Sequence, residues 1–261
     1  MKITVIGAGN MGGAIARGLS GTDMEVVVTA AHKSSLERLA STCAANVSTS
    51  TDNASAVRGA DIIILAVKPW LIADVLRQIA PAVAFRSQTI VSLAAGVTLA
   101  DMDEIMDSYS TDRVLMRAIP NTALTVGKSV TFICGNANAT PEKTAAVESL
   151  FRRMGTVEIT DEAHLAAYTA LCSCGIAYAM RYVRACVNGA VELGIPPANA
   201  TQLAAQTMAG AIALLEHGGG HPEQEIDKVT TPGGLTIRGL NAMEAHGFTT
   251  AVIEGLKSSM P

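Results

Sequence analysis

Aromatic side chains are scarce in this chain of 261 residues: one Trp, four Tyr and four Phe, together 3%. A core of stacked rings is excluded, and abundant Ala with 23 Gly predicts helices that approach closely through small side chains. Charged residues are also sparse at 16%, with no Lys/Arg block and a net charge of -4. Such a surface leaves no electrostatic footprint for nucleic acid or an anionic membrane, so neither is expected as a partner. The strongly apolar runs read as too short to span a bilayer. The first residues already form a β-rich run, which leaves no room for a signal peptide and makes the cytoplasm the expected location. Five cysteines show no C-x-x-C spacing, and their odd number argues for reduced thiols over a disulfide framework. Cys172 and Cys174, two apart in a helical pattern, point to different faces and cannot jointly hold a metal; none is expected.

What the chain does have begins at its N-terminus. The apolar run Ile3 to Ile6 enters a turn with Gly7, Gly9 and Gly12 spaced G-x-G-x-x-G, and a helical pattern through Met11, Ile15 and Leu19 follows. Gly7 permits the tight turn, Gly9 lets the backbone approach a pyrophosphate, and Gly12 lets the helix pack on the strand. The helix amides then point at the anion, which is the context a dinucleotide fingerprint requires.

The second β-rich run, Met24 to Ala30, ends in His32-Lys33-Ser34-Ser35. In a dinucleotide fold an acidic residue at this tip accepts from the ribose 2′-hydroxyl of NAD. None stands there; a cation and hydroxyls do, which favours NADPH over NADH. A solvated helix start capped by Ser34 or Ser35 is the plainer alternative. Further apolar runs follow: Asp61 to Trp70, ending in Val67-Lys68-Pro69; Thr89 to Leu93, ending in Ala94-Ala95-Gly96; and Arg113 to Ala118, ending in Ile119-Pro120-Asn121-Thr122. Val130 to Cys134 and Gly155 to Ile159 complete the strands, with a helix from Pro141 to Met154 between them. Ligands of open α/β sheets bind at the carboxyl ends of strands, which brings Lys68 to the cofactor.

Past Asp161 the pattern turns helical. Glu162 to Glu192 reads as one long helix, Asn199 to about Glu216 as a second that stops at Gly218-Gly219-Gly220, and three shorter helices follow. The expected architecture is α/β: a Rossmann-type dinucleotide-binding domain over residues 1–160, then an all-helical dimerisation and substrate domain over 161–261. A long apolar helix in so small a domain invites a second copy of the chain.

Few acids or bases are placed for catalysis. Hydroxyacid dehydrogenases of this architecture move the alcohol proton with a Lys on the interdomain helix, and Glu162 to Glu192 contains no Lys. A cyclic iminium is already charged, so its reduction needs orientation and hydrogen bonding only. Thr230 and Thr231 before Pro232-Gly233-Gly234 supply such a loop: the turn opens a helix whose first amides are free for a carboxylate, with Thr236 on its first turn.

Gly7-Ala-Gly-Asn-Met-Gly12, Ala66-Val-Lys-Pro69, Ile119-Pro-Asn-Thr122, Leu203-Ala-Ala-Gln-Thr207 and Val229-Thr-Thr-Pro-Gly-Gly-Leu-Thr-Ile237 together resemble the pyrroline-5-carboxylate reductase family, collinearly along the chain. The resemblance implies NAD(P)H-dependent reduction of 1-pyrroline-5-carboxylate to L-proline, in homodimers with intertwined helical domains and in larger rings such as a decamer. It implies that Thr236 hydrogen-bonds the ring nitrogen and that Thr230, Thr231, Pro232, Gly233 and Gly234 receive the substrate carboxylate. Asn121 joins these substrate residues, and with Lys68 it faces the cofactor side. The cofactor residues it implies are Gly7, Gly9, Asn10, Met11, Gly12, His32, Lys33, Ser34, Ala66, Val67, Lys68, Pro69 and Ala94.

The chain departs from the family pattern in places. Cys172-Ser-Cys-Gly-Ile-Ala-Tyr178 stands where Ser-Gly-Ser-Gly-Pro-Ala-Tyr is usual, and without the kinking Pro the helix is expected to run straighter. Ala118-Ile119 replaces Val-Met, and Ala123 replaces Pro. Two alternatives therefore stand beside the main reading: a reductase of another cyclic imine or small carbonyl acid, and a catalytically weak NADP-binding regulatory paralogue.

Overall fold

In the computed structural model, which describes residues 1–218 and 220–260, the β-rich runs form one eight-stranded sheet. Its strands are β1 (Lys2–Ile6), β2 (Glu25–Thr29), β3 (Val47–Ser50), β4 (Ile62–Leu65), β5 (Thr89–Ser92), β6 (Val114–Pro120), β7 (Ser129–Gly135) and β8 (Gly155–Ile159). Their spatial order is β3-β2-β1-β4-β5-β6-β7-β8. Every neighbouring pair is parallel except β6 and β7. Strand order reverses between β1 and β4, and such a reversal opens a crevice at the carboxyl ends where α/β sheets bind ligands.

Six helices cover the sheet: α1 (Asn10–Gly18), α2 (Lys33–Ala40), α3 (Asn53–Ala56), α4 (Ile72–Ile79), α5 (Leu99–Met106) and α6 (Pro141–Arg152). The pleat of β4 explains its unbroken apolar run. Ile62 and Ile64 join one core with Ile15 of α1, Leu19 at its C-cap, and Val147, Leu150 and Phe151 of α6. Ile63 and Leu65 join the other, with Ile72, Leu76 and Ile79 of α4 and Met102 and Met106 of α5. A strand buried on both faces has no polar side to show. β3 carries no such signal, being Val-Ser-Thr-Ser at the sheet edge, and sequence pattern alone does not reveal it.

The remaining helices are α7 (Leu165–Tyr168), α8 (Gly175–Glu192), α9 (Pro197–Gly218), α10 (Pro222–Val229), α11 (Leu235–Ala245) and α12 (Phe248–Lys257). The stop expected at Gly218-Gly219-Gly220 falls partly outside the described residues, since Gly219 is not among them. The stretch Glu162–Glu192 is helical but not uniform: a short 3-10 turn at Glu162–His164 precedes α7, and a π-helical segment, Thr169–Cys174, separates α7 from α8. Absence of Pro at position 176 does not yield a regular α-helix. By contacts the residues divide into two units, Met1–Ser173 and Cys174 onward. Within the second, α8 is held to α12 by the Tyr178 hydroxyl, which donates to the Gly255 carbonyl at 3.1 Å.

Membrane-spanning length also needs correcting. Glu162–Glu192 forms a helical stretch of 31 residues with a mean hydropathy of 1.2 over its most apolar window, long and apolar enough to cross a bilayer by length and composition. Only 11% of that window is buried within the chain, which leaves an apolar face open.

A partly buried ion pair meets the start of this stretch. Arg117 on β6, its side chain 8% exposed, donates from Nη1 to Glu162 Oε1 at 2.8 Å. The same carboxylate oxygen accepts from the Leu99 amide at the start of α5 at 2.7 Å. Removing one partner of a buried pair strands the other charge. Glu162→Ala is therefore expected to lower the unfolding free energy by about 3 kcal/mol, read from urea denaturation at fixed protein concentration. A change within about 0.5 kcal/mol, the range of ordinary surface substitutions, contradicts this.

Candidate active site

The glycine turn packs against the end of β4. Gly7 sits at φ +111°, and a Cβ there would lie 2.6 Å from the Ala66 carbonyl oxygen; a Cβ on Gly12 would strike the Gly7 carbonyl oxygen. Gly9, by contrast, faces open space, with no atom within 4 Å of where its Cβ would stand. It occupies the N-cap of α1, and no side chain caps that helix. The first-turn amides thus lack a side-chain acceptor, and the space beside Gly9 is open. Free first-turn amides of this kind suit an anion such as a pyrophosphate.

At the tip of β2, α2 begins at Lys33 with His32 in the N-cap place and, again, no capping side chain. Ser34 and Ser35 lie inside the helix, so neither is the cap that the plainer alternative requires. His32, Lys33 and Ser34 are all exposed. A cation in the first turn opposes the helix dipole unless an anion joins it. Lys68 and Pro69 are exposed beyond β4, whereas Val67 is half-buried and Ala94 is 3% exposed with its side chain in the core, so Ala94 offers a ligand only its backbone.

Asn121 directly follows β6 and caps the 3-10 turn Thr122–Val126. It is 4% exposed, its Oδ1 accepts from the Ala123 amide at 3.1 Å, and its Nδ2 donates to the Cys172 carbonyl at 3.0 Å. Both ends of its amide are thus engaged within the chain, one on the π-helical segment. The sequence reading passed over Asn53, which follows the unrecognised β3. Its Oδ1 accepts from Thr29 Oγ1 at 2.5 Å and its Nδ2 donates to Gln78 Oε1 at 2.8 Å, bridging the tip of β2 to α4. The nearby thiols are quiet: burial pushes Cys134 up to about 11 and raises Cys172 as well.

In the second unit, the Thr231 to Gly234 turn closes through the Gly234 amide, which donates to the Thr231 carbonyl at 2.8 Å. A Cβ on Gly234 would come within 2.5 Å of Thr231 Oγ1, so this position also requires glycine. Gly234 is the N-cap of α11, again without a capping side chain, and Thr236 stands exposed on the first turn. The expected cofactor residues thus fall together in the first unit, and the Thr230 to Thr236 loop forms in the second.

A strand-order reversal with an uncapped glycine turn at the carboxyl end of β1 is the arrangement of a dinucleotide-binding domain. Residues 2–96 match the family model described as NADP oxidoreductase, coenzyme F420-dependent, and residues 162–260 match pyrroline-5-carboxylate reductase dimerisation. The chain is 34% identical to pyrroline-5-carboxylate reductase of Escherichia coli, over 99% of this chain and 96% of that one. It is 35% identical to pyrroline-5-carboxylate reductase 1 of Dictyostelium discoideum over 98% of this chain, spanning about half, 48%, of that longer relative. The solved 1-pyrroline-5-carboxylate reductase of Streptococcus pyogenes superposes with a TM-score of 0.86 at 30% identity, covering 99% of this chain and 96% of that one. The chain belongs to the pyrroline-5-carboxylate reductase family. Its C-terminal region is a dimerisation domain, which accounts for the open apolar face of Glu162–Glu192.

Two alanine substitutions separate packing from binding. Gly12→Ala gains helix propensity of about 1 kcal/mol yet is expected to lower the melting temperature through its collision with Gly7. Gly9→Ala is expected to leave the melting temperature unchanged and to weaken NADPH binding at least about tenfold by filling the anion's approach. Equal behaviour of the two variants in calorimetry contradicts the assignment of roles.

Proposed function

We propose that this chain reduces 1-pyrroline-5-carboxylate to L-proline, with NADPH preferred over NADH. Residues 1–160 bind the dinucleotide; residues 161–261 dimerise and hold the substrate. The observation that carries this reading is the second uncapped helix start, Thr231 to Gly234, with the Thr236 hydroxyl exposed beside it. Free first-turn amides suit a carboxylate, and a hydroxyl one turn into the helix suits the nitrogen of a five-membered ring that bears that carboxylate.

When bound, the reduced nicotinamide supplies a hydride to the imine carbon. The chain's part is to hold and align. Thr230, Thr231 and the Gly233–Gly234 backbone anchor the carboxylate, and Thr236 takes a hydrogen bond from the protonated imine nitrogen, fixing which carbon faces the donor. A protonated imine becomes an amine on hydride addition alone, so no base is required, consistent with a helix from Glu162 to Glu192 that has no Lys. His32, Lys33 and Ser34 at the uncapped start of α2 take the 2′-phosphate, which supports the NADPH preference.

Steady-state oxidation of NADPH with 1-pyrroline-5-carboxylate tests the reading. Thr236→Ala is expected to lower kcat roughly 10²-fold, on the scale of losing one oriented hydrogen bond to the reacting group, with NADPH affinity unchanged and Thr236→Ser active. Tight NADPH binding without turnover on any cyclic imine is the outcome that favours a regulatory role. Cofactor choice is read separately. Lys33→Glu is expected to weaken NADPH binding at least about tenfold and NADH binding little; equal effects remove Lys33 from the phosphate seat.

A further inference from the structure

Trp70 is the chain's single tryptophan, and it is 74% exposed. It sits in the 3-10 turn Pro69–Leu71, directly beyond β4, while Ile72, Leu76 and Ile79 of the adjoining α4 are all buried. The segment thus directs its regularly spaced aliphatic residues inward and its largest ring out, beyond the carboxyl end of β4 beside the strand-order reversal. Two hydrogen bonds tie this element to the tip of β2: Thr29 Oγ1 to Asn53 Oδ1, and Asn53 Nδ2 to Gln78 Oε1 of α4. The tip itself, Ala30 to Ser35, offers only small or polar side chains.

A purine held there needs a flat apolar wall from elsewhere, and the first unit has few candidates. Phe132 and Phe151 are buried, and Tyr168 is stacked on Phe132. Phe85 packs against the core, and Tyr109 follows the end of α5, near the amino ends of the parallel strands. Only Trp70 stands free at the carboxyl edge. We propose that Trp70 is the stacking wall for the adenine of the bound dinucleotide, across from the Lys33 phosphate seat. This rests on the dinucleotide reading above and adds a residue outside the glycine and Ala66–Pro69 motifs.

Adenosine 2′,5′-bisphosphate tests it, because this fragment carries the adenine and the 2′-phosphate without the nicotinamide. Adenine does not absorb where indole emits, so quenching of Trp70 by the fragment requires contact. Titration followed by both calorimetry and fluorescence is expected to show saturable quenching with one shared Kd. Trp70→Ala is expected to raise that Kd about tenfold, within the range of a base stacked on an aromatic ring, and Trp70→Phe to keep most of the affinity. Calorimetric binding with unchanged emission and an unchanged Kd in Trp70→Ala overturns the proposal while leaving the cofactor reading intact. Failure of both the fragment and NADPH to bind overturns the cofactor reading and this proposal with it.

Discussion

The contact between the glycine turn and the end of β4 is the constraint on which the rest depends. Because Gly12 has no Cβ, the start of α1 lies against the Gly7 carbonyl and the Ala66 side chain, and because Gly7 adopts positive φ, β1 can feed that helix directly. The close approach does two things at once. It seats Ile15 and Leu19 in the core between sheet and helix, and it leaves the uncapped amides beside Gly9 pointing over the crevice. Stability and cofactor affinity therefore draw on the same few atoms, but through different glycines. Gly7 and Gly12 are required by packing, whereas Gly9 faces open space.

Much of this was legible in the sequence where burial is two-sided. Ile62 to Leu65 reads as a strand because both of its faces meet helices, and α1 reads as a helix because its apolar positions recur on one face. Legibility fails where an element is held by its neighbours and not by its own pattern. β3 is Val-Ser-Thr-Ser, paired only to β2, and with it went Asn53, whose role depends on a strand that composition does not announce. The antiparallel β7 was likewise visible as a strand but not in its direction, which is set by the short connection through Gly127 at φ +70°. The site divides the same way: the glycine turn and the Thr231 to Gly234 turn follow from local backbone requirements, while the inward commitment of Asn121 depends on a partner 51 residues away.

The helical half shows why burial counted within one chain understates its order. Leu171, Met180, Leu203, Ile212 and Leu235 are between 52% and 80% exposed in the single chain. A helix this apolar is stable in water only if a second surface covers it, and the dimerisation family model begins at Glu162, where the Arg117 pair anchors the stretch. The low aromatic content fits the same scheme, since small and aliphatic side chains let helices of two copies approach closely. The same open face makes Glu162–Glu192 pass a test of membrane-spanning length. Length and composition measure only how much apolar surface a helix has, and the dimerisation match identifies what meets it.

The π-helical segment carries the argument about the altered motif furthest. A proline at position 176 would delete one intrahelical hydrogen bond and leave a carbonyl one turn earlier without its donor. The chain has Ile176, which restores that donor, yet the helix still widens over Thr169–Cys174. Widening also frees carbonyls from i to i+4 pairing, and one of them, Cys172, accepts from the buried Asn121 side chain. The irregular segment is thus braced from outside the helix by Asn121, which directly follows β6 and caps the next 3-10 turn. Loss of the proline at position 176 is therefore accompanied by a π-helical turn, Thr169–Cys174, one of whose carbonyls is bonded by Asn121. The replacement of Ser by Cys at 172 and 174 is compatible with that arrangement, because the bond that matters is made by the backbone carbonyl and is indifferent to the side chain it belongs to.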